Sequence, residues 1–433
     1  MDRRNFIQNS TIASAGLILS PTLLKARTAF DRLGASDKIR FATIGCKGQG
    51  WADTTAMLKT GVAECVAICD IDDAILAQRK GDLEKLGGKA DTYKDFRKVL
   101  DRKDVDAVIV GTPDHWHALI MIQACMAGKD VFCEKPLAST IDECNAMVAA
   151  TQKYGRAVQV GQWQRSQKHF KDAVAYIQSG KLGDISAVRT WNARKHPNLP
   201  IVPDTAVPDG VDYKMWLGPA PNRAFNANRF HYTFRWFWDY AGGLMTDWGV
   251  HLLDIPMWAL SPGEPKRIMS SGGKWVFPTD ARETPDVQTT IYEFDKMQLT
   301  WEHSMATASH YTGKSHGIAF CGQHGSLVLN RGGWEVLPEG KEIEAVAWTK
   351  SSDNGLDLHA INWAEVIKSR NFASLNCPIG EAAKVARISS LGNAALRVGK
   401  PIEWNAATQK TDNKQANKIL YSNYQNGWKL PVS

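Results

Sequence analysis

The sequence predicts an α/β protein, with a doubly wound parallel sheet first and an α+β domain on a mostly antiparallel sheet second. Three observations carry this. Between residues 39 and 160, short apolar runs alternate with stretches of helical period, as in parallel strands buried on both faces. A glycine-rich loop joins the first run to the first helix. After residue 160 the runs lengthen and turn polar at alternate positions, the mark of an antiparallel sheet with one open face.

The first strand is read at 39–44, followed by the loop at 45–50 and a helix from Trp51. A second strand at 64–69 ends in Asp70 and Asp72, and a helix covers 74–86. A third strand at 105–110 ends at Gly111, Thr112, Pro113, Asp114 and His115, with a helix running to Ala127. The fourth, 131–133, stops abruptly at Glu134, Lys135 and Pro136. A helix at 141–154 leads to a fifth strand at 157–160. Strands at 185–191, 287–294, 298–303, 317–321 and 326–329 form the second part, closed by helices at 357–369 and 379–398. The division is thus a first domain at 36–160, a second at 161–400 and an extension at 401–433, whose polar stretch from Thr411 wraps the surface.

With 433 residues the chain can fill two cores. Its 44% hydrophobic and 22% charged content is that of an ordinary globular protein. The net charge of +7 includes +3 in the first thirty residues, too mild and dispersed for nucleic-acid binding. Residues 1–30 combine Arg3, Arg4, Phe6 and a short apolar run at 11–19, which resembles a twin-arginine export signal and is too short for a membrane span. The expectation is a periplasmic or exported protein; the alternative is a basic leader on a cytoplasmic one. Eight cysteines without Cys-x-x-Cys pairs or metal-ligand spacing read as buried thiols, with no metal site.

Candidate chemistry lies beyond strand ends, where open α/β sheets bind ligands. The loop has Gly45 and Gly50 at the outer positions of a pyrophosphate-binding fingerprint, but Lys47 at the middle one and Gly48 one later. Lys47 removes a close backbone approach and offers a positive charge. Asp70 is placed to accept the ribose hydroxyls, which favours NAD over NADP; its other reading is a helix N-cap. Pro136 fixes its own φ and biases Lys135 toward an extended backbone, so Lys135 is held in the crevice with Glu134 beside it. A lysine desolvated there becomes a usable acid or base. Farther on, Asp247 and His251 are four apart, on one face of a helix, where a carboxylate orients and tunes an imidazole. Asp254 is a second carboxylate that could orient His251. A buried, structurally satisfied Asp–His pair is the alternative.

These residues come in the order seen in the Gfo/Idh/MocA family. The Gly45 loop, Asp70, Thr112 to His117, Glu134 to Pro136 and the Asp247–His251 pair resemble its motifs over residues 37–400. The resemblance implies a Rossmann domain followed by a domain with a large open sheet that often serves oligomerisation, here a homodimer or homotetramer. It also implies catalytic roles for Lys135, Asp247 and His251, with Lys47 as the departure. Gly45, Lys47, Gly48, Gly50, Asp70, Thr112, Pro113, His115, Glu134 and Lys135 form the expected cofactor site. His115 reads equally as a structural histidine.

The chemistry agrees with an oxidoreductase acting on a ring alcohol of a sugar, glycoside or cyclitol. Oxidation needs a base for the hydroxyl proton, here His251, and a group that stabilises alkoxide charge, here Lys135. Gln162, Gln164 and Arg165 follow the last strand and could reach substrate hydroxyls. Among Trp163, Trp191, Trp236, Trp238 and Trp248, one or two should line the pocket, with Trp238 a candidate sugar contact. An exported enzyme would hold NAD tightly and return the hydride within one cycle. The alternative is a glycosidase of the same fold that oxidises, eliminates and re-reduces; a different motif at 247–251 argues against it. A non-catalytic scaffold is disfavoured by the intact Lys135, Asp247 and His251 set.

Overall fold

The computed structural model describes residues 37–431, so the leader at 1–30 lies outside the described residues. Six parallel strands form the first sheet: β1 (Ile39–Ile44), β2 (Ala63–Cys69), β3 (Asp91–Tyr93), β4 (Ala107–Val110), β5 (Asp130–Cys133) and β6 (Val158–Val160). Their spatial order is 3-2-1-4-5-6, the doubly wound arrangement whose switch point lies between β1 and β4. The inner strands β4 and β5 are buried at every position, which is why they read as unbroken apolar runs. The strand β3 was missed by sequence. It has three residues at the sheet edge, two of them exposed, so it leaves no apolar signature.

The second sheet has ten strands: β7 (Ile185–Ala193), β8 (Arg267–Gly273), β9 (Val287–Glu293), β10 (Gln298–Ser304), β11 (His316–Gly322), β12 (Gly325–Asn330), β13 (Gly333–Pro338), β14 (Val346–Lys350), β15 (Ile402–Asn405) and β16 (Lys410–Thr411). Its pairs are antiparallel except β7 with β10. In β12 every second residue is buried, matching the alternation in the sequence. That face carries Tyr292, Leu299, Trp301 and Phe320, packed in one core with residues of the helices Lys168–Gln178, Gly249–Leu260 and Ile379–Val398.

After β16 and the helix Lys414–Leu420, the tail crosses to the first domain. Tyr424 Oη donates to Glu143 Oε1 (2.6 Å), and the Trp428 ring meets Trp116 edge-on at 4.9 Å. No helix among the described residues is long and apolar enough to cross a membrane. All eight cysteines are free, seven of them buried.

Candidate active site

A cleft of about 380 Å3 opens beyond the carboxyl ends of β1, β2, β4 and β5. Its floor is the glycine loop. A Cβ on Gly45 would lie 2.6 Å from Thr112 N, and one on Gly50 would lie 2.0 Å from Gly45 O, so both close approaches require glycine. Gly48 caps the helix Gln49–Lys59 with no side chain, at φ +55°, and has open space around its Cα. The first-turn N–H groups are therefore free to meet an anion. Lys47 lines the same cleft.

Asp70, at the end of β2, accepts from Cys46 N–H (2.9 Å) and Asp72 N–H (3.3 Å). It is not a helix cap; Asp72 takes that place, accepting from Ala74 N–H. Burial pushes the Asp70 carboxyl up to about 6, although the two N–H groups pull against it. Thr112, Pro113, Glu134 and Lys135 line the cleft as expected. The Glu134 carboxyl is buried and pushed up to about 7, with the Lys135 charge opposing burial. The glycine cradle, the open helix start and the acceptor at the end of β2 fit a dinucleotide.

His115 is not at the cleft. Its Nε2 sits 2.9 Å from Trp216 O within a group of aromatic rings, which is the structural alternative. His117 ties the strand-end loops together, with ring nitrogens 2.8 Å from Pro136 O and 2.9 Å from Thr112 O.

Lys135 is where the two domains meet chemically. The Lys135–Pro136 peptide is cis. Lys135 Nζ donates to Asp247 Oδ1 (2.7 Å) and to Asp247 O (3.0 Å), with the side chains only 12% and 17% exposed. Arg235 Nε donates to the same Oδ1 (3.2 Å). Burial pushes the Asp247 carboxyl up, but Lys135 and Arg235 outweigh it and hold it well below the usual carboxylate range. Arg235 lies 12 residues before Asp247, and nothing in that spacing marks it in the sequence.

The expected helix through Asp247 and His251 is broken. One helix ends at Asp247 and the next begins at Gly249. Asp247 turns to Lys135, and the His251 imidazole forms no hydrogen bond among the described residues; its Nδ1 is buried. Burial first, then the charges of Arg331 and Lys135, keep His251 neutral, well below the ordinary imidazole value. Asp254 does not orient it either. That carboxylate, fully buried, accepts from Arg165 Nε (2.8 Å) and Nη2 (2.8 Å).

Arg165 is thereby removed from the substrate candidates. Gln162 is buried too, its Oε1 facing Cys377 Sγ at 3.4 Å. Gln164 does reach the site: it donates to His251 O (3.3 Å) and accepts from Arg331 Nε (3.1 Å). Trp238 lines a different cavity of about 160 Å3, with the Arg397 guanidinium over its ring. The tryptophans near His251 are Trp163 and Trp248, each with ring centroid 6.2 Å from the imidazole.

Residues 39–162 match the oxidoreductase family model for an NAD-binding Rossmann fold, and residues 189–268 match that family's C-terminal α/β domain. The chain is 34% identical over 169 residues to inositol 2-dehydrogenase of Salmonella paratyphi B, covering 39% of this chain and 48% of that one. It is 29% identical over 188 residues to a glycosyl hydrolase family 109 protein of Shewanella pealeana, covering 36% and 41%. The matches thus span about half the length of these curated relatives or less. Levoglucosan dehydrogenase in complex with NADH shares the fold at TM-score 0.65 and 18% identity, over 85% of this chain and 99% of that one. Aldose–aldose oxidoreductase from Caulobacter crescentus does so at 0.63 and 20%, over 84% and 99%. Both domain signatures occur in their proper order on a sheet of matching topology, and the chain belongs to the Gfo/Idh/MocA family of NAD-binding oxidoreductases.

Proposed function

We propose that this enzyme moves a hydride to or from a ring alcohol of a sugar, glycoside or cyclitol, with Lys135, Asp247 and His251 as its working residues. The observation that carries the reading is the Lys135–Asp247 pair at the inner end of the cofactor cleft. Bound NAD supplies the hydride acceptor. Lys135 has three ammonium hydrogens and gives two to Asp247, so one remains for the substrate oxygen. Its charge stabilises the alkoxide as the hydroxyl proton leaves. His251, neutral and without a hydrogen-bond partner, accepts that proton. Asp247 positions Lys135 rather than His251. In the reverse direction the same groups return the proton.

The inositol 2-dehydrogenase and levoglucosan dehydrogenase similarities support a carbohydrate or cyclitol substrate. The glycosyl hydrolase family 109 similarity favours a second reading, in which the oxidised ring eliminates a glycosidic substituent and is then re-reduced. One assay separates them. The purified enzyme is incubated with NAD and with free sugars, cyclitols and p-nitrophenyl glycosides. Absorbance at 340 nm with an alcohol substrate supports the first reading; nitrophenol release without net NADH supports the second. Neither signal, together with no stoichiometric reduction of bound NAD and no turnover of a sugar pair, sinks both. We further propose export through the twin-arginine leader, which fractionation of expressing cells tests.

A further inference from the structure

Three adjacent strands of the second sheet end at the edge beside His251. Arg194 follows β7, His316 begins β11 and Arg331 follows β12. The Arg331 guanidinium lies 4.4 Å from the Trp163 ring centroid and 4.5 Å from that of Trp248. Arg194 lies over the same Trp248 ring at 5.8 Å. Arg331 Nε donates to Gln164, but its terminal nitrogens have no acceptor among the described residues. Neither arginine forms an ion pair among the described residues, in contrast to Arg165, Arg235 and Arg282, which all do.

A half-buried guanidinium without a carboxylate is an unfinished interaction. Two carboxyl groups act on Arg331 from a distance, Asp247 and Glu134. Asp247 already closes with Lys135 and Arg235, and Glu134 is buried against the Gly161 backbone. His316, pushed down to about 4 by burial and then by Arg331 and Arg194, adds no negative charge. The side of His251 that faces Arg331 therefore carries surplus positive charge between two partly buried indole rings. The paired terminal nitrogens of a fixed guanidinium suit a planar, two-oxygen acceptor better than a hydroxyl.

We propose that the substrate ring bears a carboxylate, as in a uronic acid or its glycoside, and that Arg331 binds it while Arg194 adds charge at the rim. This rests on the reading of His251 and Lys135 as the reacting end, since it places the acid group away from the alcohol being oxidised. Trp163 and Trp248 hold the guanidinium in place and offer apolar surface to the ring.

The test is equilibrium binding by calorimetry to the full-length, NAD-loaded enzyme. D-glucuronate is compared with D-glucose, and D-galacturonate with D-galactose, with D-glucose 6-phosphate as a tetrahedral anion. At least one acid should bind about tenfold or more tightly than its neutral partner, the scale of a charged hydrogen-bond pair. Arg331→Met should bring acid and neutral partner to within about twofold of each other, a loss of the same origin. If that variant does not fold, Arg194→Gln decides, and the acid preference should fall by about threefold or more on loss of one rim charge. The proposal is overturned if no acid binds preferentially, if the preference survives the substitution, or if the phosphate ester is preferred to both acids. NADH formation is read in parallel. Acid preference without any NADH removes the oxidoreductase roles and leaves the anion site standing; NADH from neutral sugars alone does the reverse.

Discussion

Asp70 shows how one side chain couples the fold to the cofactor. Its carboxylate holds the glycine loop through Cys46 N–H and lines the cleft; in the role proposed for it, accepting from two ribose hydroxyls, it would have to be ionised. Burial raises it to about 6, so below that pH it holds a proton that NAD binding must expel. The affinity for NAD should therefore rise by about tenfold per unit as pH climbs toward 6 and then level off. Asp70→Asn should bind weakly and lack that slope, as titration of the protein fluorescence with NAD between pH 5 and 8 would show. A slope that persists in the variant would assign it to Glu134 or Asp114, which burial raises to about 7. At the reacting end, Lys135→Met and His251→Ala should each lower turnover by about a hundredfold or more. Near-normal turnover in either variant would remove that residue from its role. Because Arg235 still pairs with Asp247, the melting temperature of Lys135→Met should change little.

At the scale of elements, what could be read in the sequence depended on burial. Apolar runs at β1, β4 and β5 are buried on both faces and stood out; the helix Ile141–Tyr154 and the helix Ile379–Val398 were placed to the residue. Strands β8, β13 and β14 were missed because serine, glycine and exposed polar residues break their alternation. The glycine loop, Asp70 and Lys135 were legible because each sits at the end of a readable strand. The Lys135–Asp247 contact was not, since it joins residues 112 apart and depends on a break between two helices. Arg331 sits in a hairpin turn where a lone arginine reads as solvated. Arg165 misled for a related reason: its partner Asp254 faces into the core from a helix whose apolar sequence hides the ion pair. That pair gives a direct test of element packing. Arg165→Met should destabilise the protein by about 3–5 kcal/mol in urea unfolding, because Asp254 is left buried and charged. A change below about 1 kcal/mol would mean that water or Asp254 protonation compensates the loss.

At the scale of the molecule, the tail from Tyr421 to Leu430 has a mechanical consequence. The segment Tyr213–Arg235 covers the cofactor cleft, contributing Met215, Trp216, His231, Phe234 and Arg235. One end is tacked to the turn that follows β2, where Asp212 N–H donates to Ile71 O and Asp73 N–H to Gly210 O. The tail fastens the other side: Asn426 Nδ2 donates to Gly218 O and Ala220 O, while Trp428 packs on Phe96 and Trp116 across the gap. The cover is thus held like a flap buttoned along two edges, and undoing either one should ease the exit of a bound dinucleotide. The residence time of NAD would then depend on the polypeptide's far end, hundreds of residues from the glycine loop. Truncation after Leu420 should speed NAD dissociation by about tenfold or more, the effect of losing a few hydrogen bonds and an indole contact. Stopped-flow displacement of bound NADH would measure it. Intact enzyme dialysed free of loose nucleotide should keep turning over a sugar pair without added NAD, whereas the truncated enzyme should stall until cofactor is resupplied.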